Sequence, residues 1–527
     1  MADVSTYNNK TYEYTHGFGA IITYANNVSE NGNVEYVQKS FNTNDNIIYV
    51  EEPRIYFGLE TNDAIITNLN KKTEFDYPVT STVSADYAYS GQAGIKANFW
   101  DRLILSITNK NVNVTFSDKD SKIVLNRNII KRAEKIMPNL LYDKNPYLII
   151  SDNGRLIWVL DAYTVSNEYP YAQKTLINVG NSTREINYIR NSVKVLVDAY
   201  DGTVDFYLMD ETDPIAVAYS NVYPDLFKNK EEIGSEISSH FVYPEYLYNV
   251  QAEMLKLYHN VTEDVLYRGD DIWDNATFWS SYKTTINTEI EPYYTMIKDD
   301  NGSNKVGLIL PYTSYKKQNI TSYLVGTVND NNELTLKIYK YASGSNVLGP
   351  AQLDKEIEQD ETISSSIQAI NVTGTKVIKN IVIVPIENSL LYIEPIYQQQ
   401  LNEKNAIPLL KKVVVAFENK IAIGDTLQEA LENLVSQSAV KIKVESTDTI
   451  DGLIESIIEA NKNLTDSSAS QDFEMIGKDI TKLQNLITQL EEQREVETKK
   501  EEEIAKQNDT SSNKIIETTS ISREFNN

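Results

Sequence analysis

The chain has 527 residues, and its 75 acidic and 49 basic residues give a formal net charge of −26 at pH 7. This length is too great for one hydrophobic core, and at about 100 to 200 residues per domain we expect two to four core units. The negative charge argues against nucleic acids and anionic membrane surfaces as partners, although an acidic surface also simply keeps a large protein soluble. The absence of cysteine excludes disulfides, cysteine-ligated zinc and thiol catalysis.

Most of the sequence predicts strands with helices between them. Residues 1–125 form a strand-rich N-terminal region, in which runs such as "GAIITYA" alternate with connections rich in Asn, Asp and Gly. Residues 126–300 form a mixed region of hairpins and helices, and its first helix is predicted at 127–137. Residues 301–448 form a β-rich region with helices, the last of which begins at a capping-box sequence, "TLQE" at 426–429.

The C-terminal part of the sequence has a different character. Residues 449–490 predict a helical hairpin, because apolar residues recur there at helical spacing: Ile476, Ile480, Leu483, Ile487 and Leu490. Residues 491–527 predict a charged and disordered tail, since so few apolar side chains do not offset the entropy of ordering it. We expect limited proteolysis to trim residues 508–527 first.

Two turns that contain glycine predict β-hairpins in the mixed region. In "YLIISDNGRLIWVL", a two-residue Asn-Gly turn at 153–154 pairs Ile149 with Trp158. Both faces of this hairpin are apolar, so we predict that it is buried on both sides, with Trp158 as its largest buried side chain. The second hairpin, "VKVLVDAYDGTVDFYLMD", turns at an Asp-Gly pair at 201–202.

The acids of the second hairpin are the candidates for chemistry. A two-residue turn at 201–202 places Asp198 across from Asp205, with side-chain bases about 5 Å apart, and like charges in that position repel. Solvent, a lysine or arginine, or a bound cation offsets such repulsion, and the sequence leaves all three open. Carboxylate oxygens suit calcium or magnesium, so Asp198 and Asp205 are the predicted metal ligands. Asp201 serves the turn, and Asp161 is an unremarkable acid at the end of its strand.

No assembled catalytic set is present in the sequence. The three histidines, His16, His240 and His259, are not at metal-ligand spacing. The sequence also lacks a Gly-x-Ser-x-Gly elbow, a His-Glu-x-x-His motif, a phosphate loop and a complete calcium loop. A protein without catalytic activity is therefore favoured.

A series of ordered motifs resembles one known family. The motifs include "YTHGFG", "RIYFGLETNDAIITN", "RNIIKRAEKIMPNLLYDKNPYLIISDNGRLIWVLDAYT", "NYIRNSVKVLVDAYDGTVDFYL", "FVYPEYLYNVQ" and "VIVPIENSLLYIEPIY". Together they resemble the large bacterial membrane proteins named uncharacterised protein family 0182, over about residues 12–490.

The resemblance implies a location and leaves the reaction open. Members have several N-terminal membrane helices followed by a large extracytoplasmic domain, and this chain resembles most of that domain. The membrane helices and the segment that normally precedes "YTHGFG" are not in this sequence. The resemblance therefore implies a place on the extracytoplasmic face of the cell membrane, held there by helices outside this sequence. No catalytic residue or ligand is established for the family, so none is carried over.

We therefore expect an α+β fold of antiparallel β-hairpins with interposed helices and a C-terminal helical hairpin. The expected function is a binding or scaffold module of a bacterial membrane protein, with an envelope polysaccharide or a protein as its partner. One alternative is an envelope glycan hydrolase or transferase that uses paired carboxylates among Asp198, Asp205, Asp270 and Asp271. Another is an accessory domain of a transporter formed by helices outside this sequence.

Overall fold

The computed structural model describes residues 6–444, with short gaps, and residues 518–520. The gaps are residues 7–8, 30–32, 39–47, 62–63, 69–72, 80–83, 97, 109, 111, 117–120, 180–181, 261, 285, 299–301, 343–344, 346, 387–388, 402–405 and 419. The predicted helical hairpin at 449–490 and most of the predicted tail lie outside the described residues. Within the described part, no helix is long and apolar enough to cross a membrane.

The described residues of the N-terminal region form nine short strands. They are β1 (Gly17–Phe18), β2 (Ile22–Val28), β3 (Val34–Gln38), β4 (Arg54–Ile55), β5 (Ile65–Thr67), β6 (Glu74–Pro78), β7 (Ser84–Tyr87), β8 (Ile95–Lys96) and β9 (Lys122–Val124). The helical segments are a π-helical turn at Asn9–Glu13, helix α1 at Phe99–Thr108 and a 3-10 helix at Val112–Phe116. The strands form the pairs β1–β4, β2–β3 and β6–β7 and a three-stranded sheet in the order β5–β9–β8.

A six-stranded sheet lies at the centre of the next region. Its order is β10–β12–β15–β16–β17, with β11 also paired to β12, and only the β16–β17 pair is parallel. The strands are β10 (Leu141–Tyr142), β11 (Tyr147–Ile150), β12 (Leu156–Ser166), β15 (Tyr188–Asp198), β16 (Val204–Leu208) and β17 (Phe227–Asn229). A separate hairpin consists of β13 (Thr175–Val179) and β14 (Ser182–Ile186).

Helices before and after this sheet connect it to the rest of the chain. They are α2 (Ile129–Ile136), α3 (Pro214–Val222), a 3-10 helix (Lys230–Glu232), α4 (Ser235–Ser238), α5 (Glu245–Tyr258) and α6 (Glu263–Arg268). The helix predicted at 127–137 is confirmed as α2. It begins where the Asn128 side chain accepts a hydrogen bond from the Lys131 amide.

Two further antiparallel sheets follow. One has the order β18–β22–β23–β24–β30 with β21 paired to β22, and the other has the order β25–β27–β28–β29 with β26 paired to β27. The first contains β18 (Trp273–Asn275), β21 (Tyr293–Lys298), β22 (Asn304–Ser314), β23 (Ile320–Val328), β24 (Leu334–Lys340) and β30 (Thr518–Ser520). The second contains β25 (Thr375–Lys379), β26 (Val382–Ile386), β27 (Ser389–Gln400), β28 (Leu409–Phe417) and β29 (Lys420–Gly424).

The remaining elements accompany these two sheets. They are a short pair of strands, β19 (Thr277–Phe278) and β20 (Thr288–Glu289), and the helices α7 (Pro350–Gln359), α8 (Glu361–Ile370) and α9 (Leu427–Val444). The predicted capping sequence is confirmed at the start of α9, where Thr426 Oγ1 accepts a hydrogen bond from the Glu429 amide at 3.2 Å.

The sheets contribute to separate hydrophobic cores. The largest core joins the two C-terminal sheets to helices α5, α7 and α8, through residues such as Tyr248, Leu353 and Val414. The central sheet and α2 share a core with the N-terminal region, which includes Phe57 and Val195. Helix α9 covers the other face of the last sheet. The N-terminal region is thereby packed on the central sheet.

Both predicted hairpins are present, but the predicted register is wrong in each. In the first, Trp158 pairs with Leu148 and residues 152–154 form a three-residue loop. In the second, residues 199–202 form a four-residue loop. Gly154 and Gly202 both have positive φ, and longer hairpin loops use such a glycine as readily as two-residue turns do.

The burial predicted for Trp158 is also wrong. Its side chain is only partly buried, and its indole Nε1 donates to the Phe57 carbonyl at 3.0 Å. An indole N–H needs an acceptor, which favours a position at the edge of a core. The largest fully buried side chains of the described residues are tyrosines: Tyr56, Tyr163, Tyr248 and Tyr312.

The α+β class with antiparallel sheets is confirmed. Strand β30 lies inside the segment predicted as a disordered tail, and it pairs antiparallel with β24, with Ser520 opposite Lys337. Strand addition at a sheet edge uses backbone hydrogen bonds, so a polar composition does not prevent it. For these three residues the predicted absence of structure is wrong.

Candidate functional site

Asp198 and Asp205 do not face each other. Asp198 lies at the end of β15, where its amide donates to the Thr203 carbonyl, and Asp205 pairs with Leu196. The carboxylate of Asp198 turns toward its own loop and accepts hydrogen bonds from the amides of Tyr200 and Asp201, each at 2.8 Å. Asp198 therefore makes the turn that the sequence assigned to Asp201.

Each of the two acids has a basic partner. The Arg155 guanidinium donates to both Asp198 oxygens, at 2.8 to 3.1 Å, and also to Asp201 Oδ2 at 3.1 Å. Lys228, on the neighbouring parallel strand, lies 2.8 Å from Asp205. The sequence left solvent, a basic side chain and a bound cation open as the group that balances these acids. The structure contains basic side chains, an arginine and a lysine. Binding of calcium or magnesium at these acids stays a prediction.

Asp201 connects the central hairpin to the N-terminal region. Its Oδ1 accepts hydrogen bonds from the Gln92 amide at 2.8 Å and from the Tyr89 hydroxyl at 3.3 Å. Burial acts to lower the pKa of Arg155, but its bonds to Asp198 and Asp201 outweigh burial and raise that pKa. The ion pair and the two hydrogen bonds to Asp201 hold the loop against the residues around position 90.

Four tyrosines pack together beside this loop, and we call Tyr56, Tyr87, Tyr89 and Tyr200 the tyrosine cluster. The ring centroids of Tyr56 and Tyr89 are 4.5 Å apart, and Tyr200 lies 5.0 Å from Tyr89. The hydroxyls of Tyr87 and Tyr200 share a hydrogen bond of 2.6 Å. Burial raises the pKa of Tyr56, Tyr87 and Tyr89, so these hydroxyls remain protonated donors at neutral pH.

A charged network adjoins the tyrosine cluster, and we call His16, Arg54, Glu74 and Asp76 the N-terminal network. The His16 ring has its Nε2 at 3.2 Å from Asp76 Oδ1 and its Nδ1 at 3.6 Å from Glu74 Oε2. Arg54 binds Asp76 through two hydrogen bonds, of 2.7 and 2.9 Å. The Arg54 guanidinium also lies 3.6 Å from the centroid of the Tyr87 ring, within cation–π range.

Glu74, the other acid of this network, is hydrogen-bonded by hydroxyl groups. It accepts from the Thr15 hydroxyl, and it accepts from the Tyr56 hydroxyl at 2.6 Å. Burial acts to raise the pKa of Glu74, but the bonds from His16, Thr15 and Tyr56 outweigh burial and lower it. A histidine beside two carboxylates resembles an acid–base pair, but the side chain of His16 is completely buried. Among the described residues, the His16 ring therefore has no surface open to solvent.

A second charged cluster lies between α7 and the last sheet, and we call Asp354, Lys379 and Glu394 the buried triad. The Lys379 ammonium contacts Asp354 and lies 2.8 Å from Glu394 Oε1, and all three side chains are about 1 % exposed. Asp354 also accepts from the Trp279 amide at 2.7 Å. Glu394 Oε1 has no well-aligned hydrogen bond, and burial raises the pKa of Glu394 to about 8. One lysine thus faces two acids, and one acid holds a proton.

Asp161 is not the unremarkable acid that the sequence predicted. It lies within β12 directly opposite Lys194 of β15, and the two buried side chains form an ion pair. Asn191 also donates to Asp161, at 3.0 Å. A buried ion pair with added hydrogen bonds keeps two neighbouring strands in register.

The acids of "YRGDDIWD" lie in a loop after α6, apart from the central hairpin. Asp270 pairs with Arg268 at 2.7 Å, and Asp271 lies 3.5 Å from His259 Nε2. Both acids are exposed, while His259 stacks on Trp273 at a centroid distance of 3.5 Å. The structure does not bring these acids together with Asp198 and Asp205.

Sequence reasoning did not find the N-terminal network or the buried triad. Their members are far apart in the chain, 60 residues for His16 and Asp76 and 25 for Asp354 and Lys379. The one available signal was local, since "YTHGFG" carries His16 among the family motifs. Among the described residues, no three His, Asp or Glu side chains are arranged to hold a metal ion.

Comparison with known proteins identifies the family of the chain. Residues 1–370 match the family described as Uncharacterised protein family (UPF0182). A UPF0182 protein of Clostridium botulinum is 36 % identical over 497 residues, which cover 92 % of this chain and 54 % of that protein. One of Caldicellulosiruptor saccharolyticus is 38 % identical over 447 residues, which cover 83 % of this chain and 48 % of that protein. No solved structure matches the chain.

The chain spans about half the length of the curated relatives it matches. The family matches confirm the resemblance inferred from the ordered motifs between "YTHGFG" and "VIVPIENSLLYIEPIY". Those motifs carry His16, Tyr56, Asp198 and Tyr200, so the family pattern includes both the central hairpin and its neighbours. The chain belongs to the uncharacterised protein family UPF0182.

Proposed function

We propose that this chain is a non-catalytic binding or scaffold module on the extracytoplasmic face of a bacterial membrane protein. The observation that carries the proposal is the neutralisation of the candidate acids. Asp198 and Asp205 are bound by Arg155 and Lys228, and the histidine closest to a catalytic arrangement, His16, is buried. Glycoside chemistry needs two carboxyl groups that face a substrate, and an acid bound by arginine does not present that surface.

The length of the relatives supports a module within a larger protein. The matched relatives are about twice as long as the stretch they share with this chain. In the proposal, their remaining half supplies attachment to the membrane, and the present chain supplies a folded surface outside it.

Exposed tyrosines are the proposed contact with an envelope polysaccharide. A tyrosine ring stacks on a sugar face while its hydroxyl remains hydrated. Several tyrosines have at least half of their surface exposed: Tyr49, Tyr169, Tyr171, Tyr267 and Tyr315. Retention of purified envelope polysaccharide by the chain, without release of new reducing ends, is the expected result. Release of reducing ends that stops in Asp198→Asn would favour the hydrolase instead.

Cysteine labelling tests the proposed location. The chain contains no cysteine, so Tyr267→Cys creates a single thiol at a position that is 93 % exposed. With the variant gene at its native locus, a membrane-impermeant maleimide should label intact cells. Ala252→Cys, at a buried position, is the matched control and should stay unlabelled in folded protein. Labelling of Tyr267→Cys only after lysis would place the chain inside the cell and overturn the proposal.

A further inference from the structure

Helix α1 has its apolar side turned outward. Trp100, Ile104 and Ile107 recur at the spacing of one helix face, and they are 68 %, 60 % and 71 % exposed. The polar residues Arg102 and Ser106 are buried on the opposite side. This is the reverse of a helix that packs on a protein core, where apolar residues face inward.

The orientation of α1 is well defined by its contacts. The Asn98 side chain caps its first turn by accepting from the amides of Trp100 and Asp101, at 2.9 and 3.0 Å. Leu105 packs on a small core formed by Ile66, Val114 and Ile123. Since the capped helix is anchored from its other side, its apolar residues remain outside.

We call Phe99, Trp100, Ile104, Ile107 and Val112 the α1 face. Phe99 and Val112 are also more than half exposed, and they extend the face at both ends of the helix. Exposed lysines flank it, Lys96 before the helix and Lys110 after it, and Asp101 is the one acid of the helix. A contiguous apolar face with an aromatic edge and flanking lysines is the composition of helices that lie in a membrane interface.

We propose that the α1 face inserts into the interfacial layer of a lipid bilayer. The aliphatic and aromatic side chains enter the region between headgroups and acyl chains, and the Lys96 and Lys110 ammonium groups reach the lipid phosphates. The inference rests on the proposed function, which places the module beside a membrane, but it names the surface that makes the contact.

A bilayer suits this face better than a second copy of the chain. Two copies of net charge −26 repel each other, whereas a zwitterionic bilayer has no net charge to repel the chain and the face itself has lysines at its ends. Five side chains of this size present on the order of 500 Å2, below the roughly 800 Å2 per partner that a stable protein interface buries. Partial insertion into lipid has no such minimum area, because each apolar side chain that leaves water contributes separately.

The tryptophans of the chain provide a specific readout. Of the four, Trp100 is well exposed, whereas Trp273 and Trp279 are buried and Trp158 is partly buried. Phosphatidylcholine vesicles added to the 527-residue chain should shift its tryptophan emission to shorter wavelength, and brominated acyl chains should quench the emission. Trp100→Phe should lose the shift but still float with the vesicles, because phenylalanine preserves an apolar contact.

Vesicle flotation of matched variants tests which surface binds. The double variant Ile104→Ser, Ile107→Ser should bind at least about tenfold more weakly, since it removes two apolar side chains from the contact. Val435→Ser on α9, where the valine is 68 % exposed, should float like the parent. Circular dichroism checks that each variant is folded.

Three outcomes would overturn the inference. They are a parent that neither floats nor shifts its emission, a double variant that floats like the parent, and a lipid-free dimer that depends on Ile104 and Ile107. The labelling of Tyr267→Cys does not involve α1, so the two proposals fail separately. If intact cells are labelled but the chain does not float with vesicles, the proposed location stands and the proposed lipid contact is wrong.

Discussion

Glu74 in the N-terminal network and Glu394 in the buried triad are both buried glutamates beside a basic side chain. Burial acts to raise the pKa of each, yet the pKa of Glu74 is lowered and that of Glu394 is raised to about 8. The two pKa values differ because the carboxylates have different hydrogen-bond donors around them. Glu74 receives hydrogen bonds from the hydroxyls of Thr15 and Tyr56, whereas Glu394 shares one lysine with Asp354.

In these two sites the pKa of the buried carboxylate follows the hydrogen-bond donors around it. Several donors replace the water that burial removes, so the ionised form persists. One ammonium between two acids neutralises only one of them, so the other keeps its proton. The N-terminal network and the buried triad therefore respond in opposite ways to substitution and to pH.

The largest expected effect is the loss of Lys379. Lys379→Met leaves Asp354 without its cation in a buried site and should lower the free energy of unfolding by about 3–5 kcal/mol. Urea denaturation measures the change. Lys355→Met on the same helix as Asp354 is the matched control, because Lys355 is exposed, and it should change stability by less than about 0.5 kcal/mol. Equal stability of the two variants would contradict the role assigned to the triad.

A smaller effect is expected in the N-terminal network. Glu74→Gln places an amide N–H2 group among the hydroxyl donors of Thr15 and Tyr56, and it should lower the unfolding free energy by about 1–3 kcal/mol. Urea denaturation again measures the change, and Glu231→Gln at an exposed position is the control. A neutral Glu74→Gln would mean that the hydrogen bonds to Glu74 do not depend on its charge.

The stability contributed by the two glutamates should depend on pH in opposite directions. The raised pKa of Glu394 contributes stability that is complete below about pH 4.5 and is lost as pH rises through about 8, by at most about 1.4 kcal/mol per pH unit. The lowered pKa of Glu74 contributes stability that is present above its ordinary pKa and is lost as pH falls.

Unfolding free energies at a series of pH values test this prediction. Glu394→Gln should remove part of the decline between pH 5 and 8, and Glu74→Gln should remove part of the decline on the acid side. Variants whose pH profiles both run parallel to that of the parent would contradict the assigned protonation states.

The smallest effect concerns the central hairpin. Calcium binding by Asp198 and Asp205 predicts a higher melting temperature of the parent at millimolar calcium, whereas acids already satisfied by Arg155 and Lys228 predict no change. Asp198→Asn should cost about 1 kcal/mol, because a partly exposed ion pair contributes little and an asparagine oxygen still accepts the turn amides. A calcium-dependent rise that disappears in Asp198→Asn would support the predicted cation site, and no rise in the parent would contradict it.

Local signals in the sequence predicted elements more reliably than pairings. Helix α2, the start of α9 and both central hairpins were predicted from neighbouring residues, and each is present. The register of the two hairpins was not predicted correctly, because a glycine with positive φ fits loops of two, three or four residues. The loop length depends on which side chains the strands then bury, and the glycine does not specify it.

The family, the α+β class and the positions of turns and helix starts could be predicted from the sequence. Motifs, periodicity and caps involve residues that are close together in the chain, so they can be recognised without a structure. Which acidic side chain forms an ion pair with which basic one became clear only from the tertiary structure. Arg155 reaches Asp198 and Asp201 from more than 40 residues away, and Lys379 is shared between Asp354 and Glu394. The physical reason is that a charge pair forms where packing brings two side chains within a few ångströms, and separation along the chain does not encode that distance.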